Sequence, residues 1–366
     1  VARSREEKPL PACYALVQPG LEEVAGEEIE QTLRGEVKKT ARGVVVFRIK
    51  RLDDALYDLR TVEDVFLLGW GTDQLTYRAA DLDKIRQWTA KDADWDHLFK
   101  LHHQLRPLTR GKPTYRLVTQ MHGEHGYRRK DAARAFGEGM ASKLPQGWRP
   151  AEENAYLEVW LTLQGKVGFC GVRLTDREMR HRSYKVEHRP ASLRPSVAAA
   201  MVRLAEIKPK HRVLDPMCGA GTLLAEYWLA MEGVRAEKPP ALGGDLEHGA
   251  VYAAAANLRK IGTTFLNRWD ACQLPLAPAS VDRILSNPPF GKQLGTPSDL
   301  GRLYRGMLRE YDRVLAPGGK AVLLVSEADV LFEAAAPLAH WRRVRLVKVR
   351  LLGQPALISV WRKGDA

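Results

Sequence analysis

The chain reads as an α/β protein: a carboxy-terminal parallel sheet with helices on both faces, closed by an antiparallel hairpin and preceded by two smaller α+β units. Three observations carry that reading. From residue 195 onward apolar helical and strand segments alternate, the pattern of a parallel sheet with helical crossovers. Segments 344–352 and 356–362 are separated only by a Gly353-Gln354-Pro355 turn, too short for a crossover, so they form an antiparallel hairpin on the sheet edge. The length, 366 residues, is that of two or three domains.

In chain order, residues 13–18 read as a strand, Pro19-Gly20 as a turn, and 21–33 as an amphipathic helix with Leu21, Val24, Ala25, Ile29 and Leu33 on its apolar side. A β-branched strand at 44–49, a helical stretch at 52–57 and a strand at 65–70 complete a unit over residues 1–71. Residues 72–178 hold helices carrying Trp88, Trp95, Leu98 and Phe99. A strand at 114–120, a helix near 132–144 and strands at 156–163 and 167–172 follow. Residues 179–194, poor in apolar positions and rich in bases, read as a linker. The last domain, 195–366, has helices at 196–207, 222–231, 247–261 and 298–315. Its strands lie at 212–215, 241–245, 264–269, 281–286 and 320–325, ahead of the hairpin.

Composition narrows the partner. Lys and Arg number 57 against 44 Asp and Glu, a net charge of +13, which favours a polyanion such as nucleic acid. Between residues 106 and 130 stand Arg106, Arg110, Lys112, Arg116, Arg128, Arg129 and Lys130 against one acid, Glu124, with Tyr115 and Tyr127 interleaved. Such a run is either a solvated face or a phosphate-tracking surface. The linker adds Arg182 and Lys185. No apolar run approaches the roughly 18 residues of a membrane helix, and the charged start has no signal-peptide core. Cys13, Cys170, Cys218 and Cys272 show no C-x-x-C spacing. The expectation is a cytoplasmic monomer with reduced thiols, no structural metal and no membrane partner.

Chemistry concentrates at four strand tips of the last domain. Val213-Leu214-Asp215-Pro216-Met217-Cys218-Gly219-Ala220-Gly221-Thr222 leads from strand to helix through a loop with two glycines, where a ligand can approach the backbone. Gly219 and Gly221 fit the start of a dinucleotide fingerprint, but its third glycine is replaced by Leu224. Asp215 at the strand end would repel a pyrophosphate and suits a cationic or amino ligand. Asp245 closes the second strand, at the usual place for a carboxylate that binds ribose hydroxyls. Asp270 and Ala271 follow the third, where an acid and the next N–H can read adenine. The fourth ends in Ser286-Asn287-Pro288-Pro289-Phe290-Gly291. There the Asn287 side-chain oxygen and the Pro288 carbonyl, fixed by two prolines, can accept hydrogens from one planar amino group while Phe290 stacks on its ring.

These motifs resemble those of Rossmann-like class I methyltransferases that use S-adenosylmethionine and carry Asn-Pro-Pro-aromatic for exocyclic amines. The match covers residues from about 190 to the end. It implies Asp215, Cys218 and Gly219 near the methionine part, Gly221 in the same cofactor site, Asp245 at the ribose, Asp270 and Ala271 at adenine, and Asn287, Pro288, Pro289 and Phe290 as catalytic residues, with Asn287 also binding the cofactor as a bridge to the target. Upstream, Pro113-Thr114-Tyr115-Arg116, Arg128-Arg129-Lys130 and Tyr156-Leu157-Glu158-Val159 look like a THUMP RNA-binding domain, preceded by a ferredoxin-like companion. The domain order is similar to the transfer RNA guanine-N2 methyltransferases, including those acting at position six of the acceptor stem. In that family the segment His188-Arg189-Pro190-Ala191-Ser192-Leu193-Arg194-Pro195 leads into the cofactor site. The resemblance therefore assigns Ser192, Pro195, Ser196, Val197 and Ala198 to its lining, although such a segment is equally a hinge. It implies tRNA as partner, bound through Arg106, Arg110, Lys112, Arg128, Arg129, Lys130, Arg182 and Lys185. A ribosomal RNA guanine-N2 methyltransferase and a non-catalytic RNA-binding protein with a relic fold are the alternatives.

Overall fold

The computed structural model describes residues 8–108, 110–190, 192–290, 297–351 and 353–365. Residues 1–7 of the charged start, Ala191 of the lead-in segment, Gly291 of the fourth motif and Leu352 of the hairpin lie outside them. Two compact units result. One comprises residues 8–16, Gly26–Leu59 and Asp64–Asp176; the other comprises Val17–Ala25, Arg60–Glu63 and the chain from Arg177 onward.

The amino-terminal elements are β1 (Cys13–Val17), α1 (Glu22–Leu33), β2 (Glu36–Ala41), β3 (Val44–Arg48), β4 (Val62–Thr72), α2 (Ala80–Lys91), α3 (Trp95–Leu105), β5 (Thr114–His122), α4 (Arg129–Met140), β6 (Arg149–Pro150), β7 (Leu157–Gln164) and β8 (Val167–Arg173). Their strands form one sheet in the order β2-β3-β1-β4-β8-β7-β5-β6. The position at residue 71 where the composition changes is therefore no gap in the sheet: β4 pairs antiparallel with β8, Phe66 opposite Arg173. Aromatic packing accounts for the join. Tyr14 stacks on Phe66 with ring centroids 4.6 Å apart, and Trp160 and Phe169 complete the cluster. Buried Asp64 holds Arg173 at 2.6 Å, Glu158 takes the same guanidinium at 3.0 Å, and Trp160 lies beneath it. Strand β2 has no apolar alternation because it is an exposed edge.

The second unit adds α5 (Arg177–His181), α6 (Pro195–Leu204), β9 (Val213–Asp215), α7 (Thr222–Ala230), β10 (Ala241–Asp245), α8 (His248–Leu258), β11 (Thr264–Arg268), β12 (Val281–Ser286), α9 (Pro297–Val314), β13 (Leu315–Val325), α10 (Ala328–Ala335), β14 (Trp341–Leu351) and β15 (Gln354–Lys363). The order is β11-β10-β9-β12-β13-β15-β14; β11 to β13 run parallel, and β15 is antiparallel to both its neighbours. The terminal hairpin therefore lies on the sheet edge, with its second strand innermost. Buried side chains of α6, α7 and α8 fill one face of the sheet, and those of α9 and α10 fill the other. The order in which successive strands are added reverses between the parallel neighbours β9 and β12, the place where open α/β sheets hold ligands beyond their carboxyl ends. Strand β13 starts five residues before the sequence-based start at 320, because Pro317-Gly318-Gly319 is accommodated within the strand as an irregularity.

Candidate active site

Asp215 is 1% exposed, and its Oδ1 accepts from the Met217 N–H at 3.3 Å. Burial pushes its carboxyl well above the usual carboxylate range, and the neighbouring Asp245 pushes in the same direction. The loop that follows turns on Gly219 and Gly221, both left-handed with φ of +53° and +77°. A Cβ on Gly219 would meet nothing within 4 Å, so open space lies against this backbone. On Gly221 it would stand 3.0 Å from Leu258 and 3.2 Å from Ala254, so glycine there also permits α7 to close on α8. Cys218 is buried, its N–H donating to the Gly244 carbonyl at 2.9 Å.

Asp245 ties the second tip to the first. Its Oδ2 accepts from the Gly219 N–H and its Oδ1 from the Glu247 N–H, each at 3.0 Å. Trp269, to which the sequence reading gave no role, spans three tips: its indole N–H donates to the Pro216 carbonyl at 3.0 Å, and its backbone N–H to the Asp245 carbonyl. Its ring explains the glycine before Asp245, since a Cβ on Gly244 would stand 2.2 Å from it. Asp270 is exposed, and its Oδ1 accepts from the Cys272 N–H at 2.8 Å, closing a local turn; Ala271 beside it is buried.

On β12, the neighbour of β9, buried Ser286 bonds the Tyr311 hydroxyl at 3.0 Å. The next side chain, Asn287, keeps its Oδ1 buried with no hydrogen-bond partner among the described residues. An orphaned carbonyl oxygen costs ~1–3 kcal/mol, a cost a ligand amino group would relieve. Pro288 is buried, Pro289 half-buried, and Phe290 packs against the core formed with α6 and α7.

Beside these tips runs the lead-in segment. Ser192 Oγ is likewise buried and without a partner among the described residues. Pro195 opens α6, and Ser196, Val197 and Ala198 are buried, with Val197 and Ala198 in the hydrophobic core. Glu226 on α7, fully buried, accepts from Arg60 at 2.7 Å, Arg182 at 3.2 Å and the Tyr184 hydroxyl at 2.8 Å. Arg182 also donates to the Met179 and Arg60 carbonyls. A phosphate role for Arg182 is thereby corrected: its side chain is 7% exposed and neutralised by an internal carboxylate. Lys185 donates to the Leu193 carbonyl, and burial lowers its pKa, so it too serves the segment's own fold. A lone acid in the apolar helix Thr222–Ala230 was the available signal for Glu226, since such a charge stays only with partners.

In the amino-terminal unit Arg110, Lys112, Arg128, Arg129 and Lys130 are exposed. Arg106 is half-buried, held by the Leu174 and Thr175 carbonyls with Asp176 at 3.8 Å. Among the described residues no group of three His, Cys, Asp or Glu could hold a metal, and no helix is long and apolar enough to cross a membrane.

Residues 182–355 match the RMKL-like methyltransferase domain family. The tRNA (guanine(6)-N2)-methyltransferase of Thermus thermophilus is 34% identical over 249 residues, 66% of this chain and 71% of that protein. The tRNA (guanine(6)-N(2))-methyltransferase THUMP3 of Mus musculus is 32% identical over 266 residues, 68% of this chain; the chain spans about half, 51%, of that protein's length. The crystal structure of TrmN from Thermus thermophilus superposes with a TM-score of 0.76 at 27% identity, covering 96% of this chain and 99% of that one. The second unit thus has the class I methyltransferase fold, and the chain belongs to the family of the tRNA (guanine(6)-N2)-methyltransferases.

Proposed function

We propose that this chain transfers the methyl group of S-adenosylmethionine to the exocyclic N2 of a guanosine in tRNA, at position six of the acceptor stem. The observation that carries the reading is the buried Oδ1 of Asn287, without a hydrogen-bond partner among the described residues, at the strand tip beside Asp215. The names of the relatives support the substrate and the position. The residues fit the cofactor: the open space at Gly219, whose N–H meets Asp245, leaves room there, and Ser192 Oγ, buried with no partner among the described residues, offers a hydrogen-bonding group on the lead-in segment.

When bound, S-adenosylmethionine supplies a sulfonium methyl open to in-line attack. Asp215 faces the amino group of its methionine part, Asp245 accepts from the ribose hydroxyls, and the Asp270–Ala271 turn reads the adenine. Asn287 Oδ1 and the Pro288 carbonyl accept the two guanine N2 hydrogens, drawing the nitrogen lone pair out of conjugation, while Phe290 stacks on the ring. Guanine N2 in a paired stem lies in the minor groove, so the nucleotide is extruded to reach this acceptor.

The domain division proposed is a ferredoxin-like unit at 1–71, a THUMP unit at 72–178, the linker at 179–194 and the catalytic domain at 195–366. Arg110, Lys112, Arg128, Arg129 and Lys130 hold phosphates of the tRNA, whereas Arg182 serves the fold. The test is Asn287→Ala, which should retain tRNA binding and lose methyl transfer. A variant that methylates at the wild-type rate would remove Asn287 from the chemistry.

A further inference from the structure

Asn257, on α8 and 3% exposed, spends its whole carboxamide on two distant backbone stretches. Its Oδ1 accepts from the Glu187 N–H at 2.8 Å, and its Nδ2 donates to the Glu187 carbonyl at 3.0 Å and the Ala220 carbonyl at 2.9 Å. These partners fix the amide's orientation, since the flipped group would set an oxygen against two carbonyls. Ala220 stands between Gly219 and Gly221, and Glu187 immediately precedes the lead-in segment that carries Ser192. One side chain therefore couples the glycine loop to that segment. A second tie runs alongside: Arg189 pairs with Glu247, whose N–H donates to Asp245.

Val186, Glu187, His188 and Pro190 are exposed and none is a core residue, and the backbone bonds the segment makes itself are local, the Val186 N–H donating to the Tyr184 carbonyl and the Ser192 N–H to the Arg189 carbonyl. Without its ties it would be ordered only on ligand binding, at a cost in affinity.

We propose that Asn257 is a positioning residue for the cofactor site, holding the lead-in segment against the glycine loop so that the two walls are preformed. The proposal rests on the cofactor reading above. Asn257 touches no reacting group, so its loss acts on cofactor affinity and on the order of the segment, with the KM for cofactor changing more than kcat.

The test uses the full chain with S-adenosylhomocysteine as probe. Asn257→Asp is isosteric and keeps the acceptor for the Glu187 N–H, but it loses both donors and places a second oxygen against two carbonyls. Calorimetry should show Kd rising about tenfold or more, the loss expected of two preorganising hydrogen bonds. Trypsin should cut faster after Lys185. A folded variant that binds the probe within about twofold of wild type and resists trypsin equally would overturn the proposal. If Asn257→Asp does not fold, hydrogen exchange on the wild-type chain decides. The Glu187 amide should exchange more slowly once the probe is bound, and an unchanged rate in the bound protein would overturn the coupling. A wild-type chain that fails to bind the probe is a different result, which refutes the cofactor reading itself.

Discussion

Asp245→Asn changes one atom at the junction of two loops. In the wild type both carboxylate oxygens accept backbone N–H groups, Oδ2 from Gly219 and Oδ1 from Glu247, each at 3.0 Å. An amide keeps one acceptor and turns a donor toward the other N–H, so one of the two bonds is lost whichever way it is oriented. Each is charge-assisted, and the same side chain is the proposed ribose acceptor. Loss of one such bond costs ~1.5–3 kcal/mol, which at ~1.4 kcal/mol per decade is about 10- to 150-fold in Kd. The assay is calorimetric titration with S-adenosylhomocysteine at fixed ionic strength. Thermal denaturation alongside separates a folded variant from an unfolded one. A folded variant that binds within about twofold of wild type would refute the ribose assignment and the coupling of Asp245 to the glycine loop together.

Asp215→Asn should stabilise the cofactor-free chain at neutral pH. Burial raises the folded-state pKa of Asp215, so the wild type loses stability as pH rises from the ordinary value of 3.8 toward that raised one, whereas Asn does not titrate. Urea denaturation should show the gain at pH 7 shrinking toward pH 4, and a pH-independent difference would refute the burial argument. Glu226→Gln removes the carboxylate charge that buried Arg182 pairs with and should cost ~3–5 kcal/mol in denaturant midpoint analysis; a change under ~1 kcal/mol would mean that the cluster is hydrated. Replacing Arg128, Arg129 and Lys130 together by Ala should lower the slope of log affinity against log salt for tRNA by roughly 1 per lost phosphate contact. An unchanged slope would make that run a solvated face.

What could be read from the sequence followed from periodicity and from strand-tip chemistry. Segments 241–245 and 281–286 are legible because each is a strand-length stretch within the alternation of helix and strand, and Asp245 and Asn287 stand at their tips. The glycine loop was legible because Gly219 and Gly221 both take left-handed backbone, which other residues rarely adopt. Strand β2 escaped because an exposed edge strand buries neither face. The joining of β4 to β8 escaped because pairing across about a hundred residues leaves no local signal. Arg182 was misassigned because charge counting does not distinguish a base that faces solvent from one that neutralises a buried Glu226. Asn257 and Trp269 went unassigned because their partners are backbone atoms, which composition does not reveal.

The central claim is tested most directly by incubating the purified chain with unmodified tRNA and isotope-labelled S-adenosylmethionine, then analysing the RNA by nucleoside mass spectrometry and fragment mapping. The account predicts labelled N2-methylguanosine at position six, absent with Asn287→Ala. Label on an adenine or cytosine amino group, on a guanosine elsewhere, or nowhere in a chain that binds both cofactor and tRNA would contradict it.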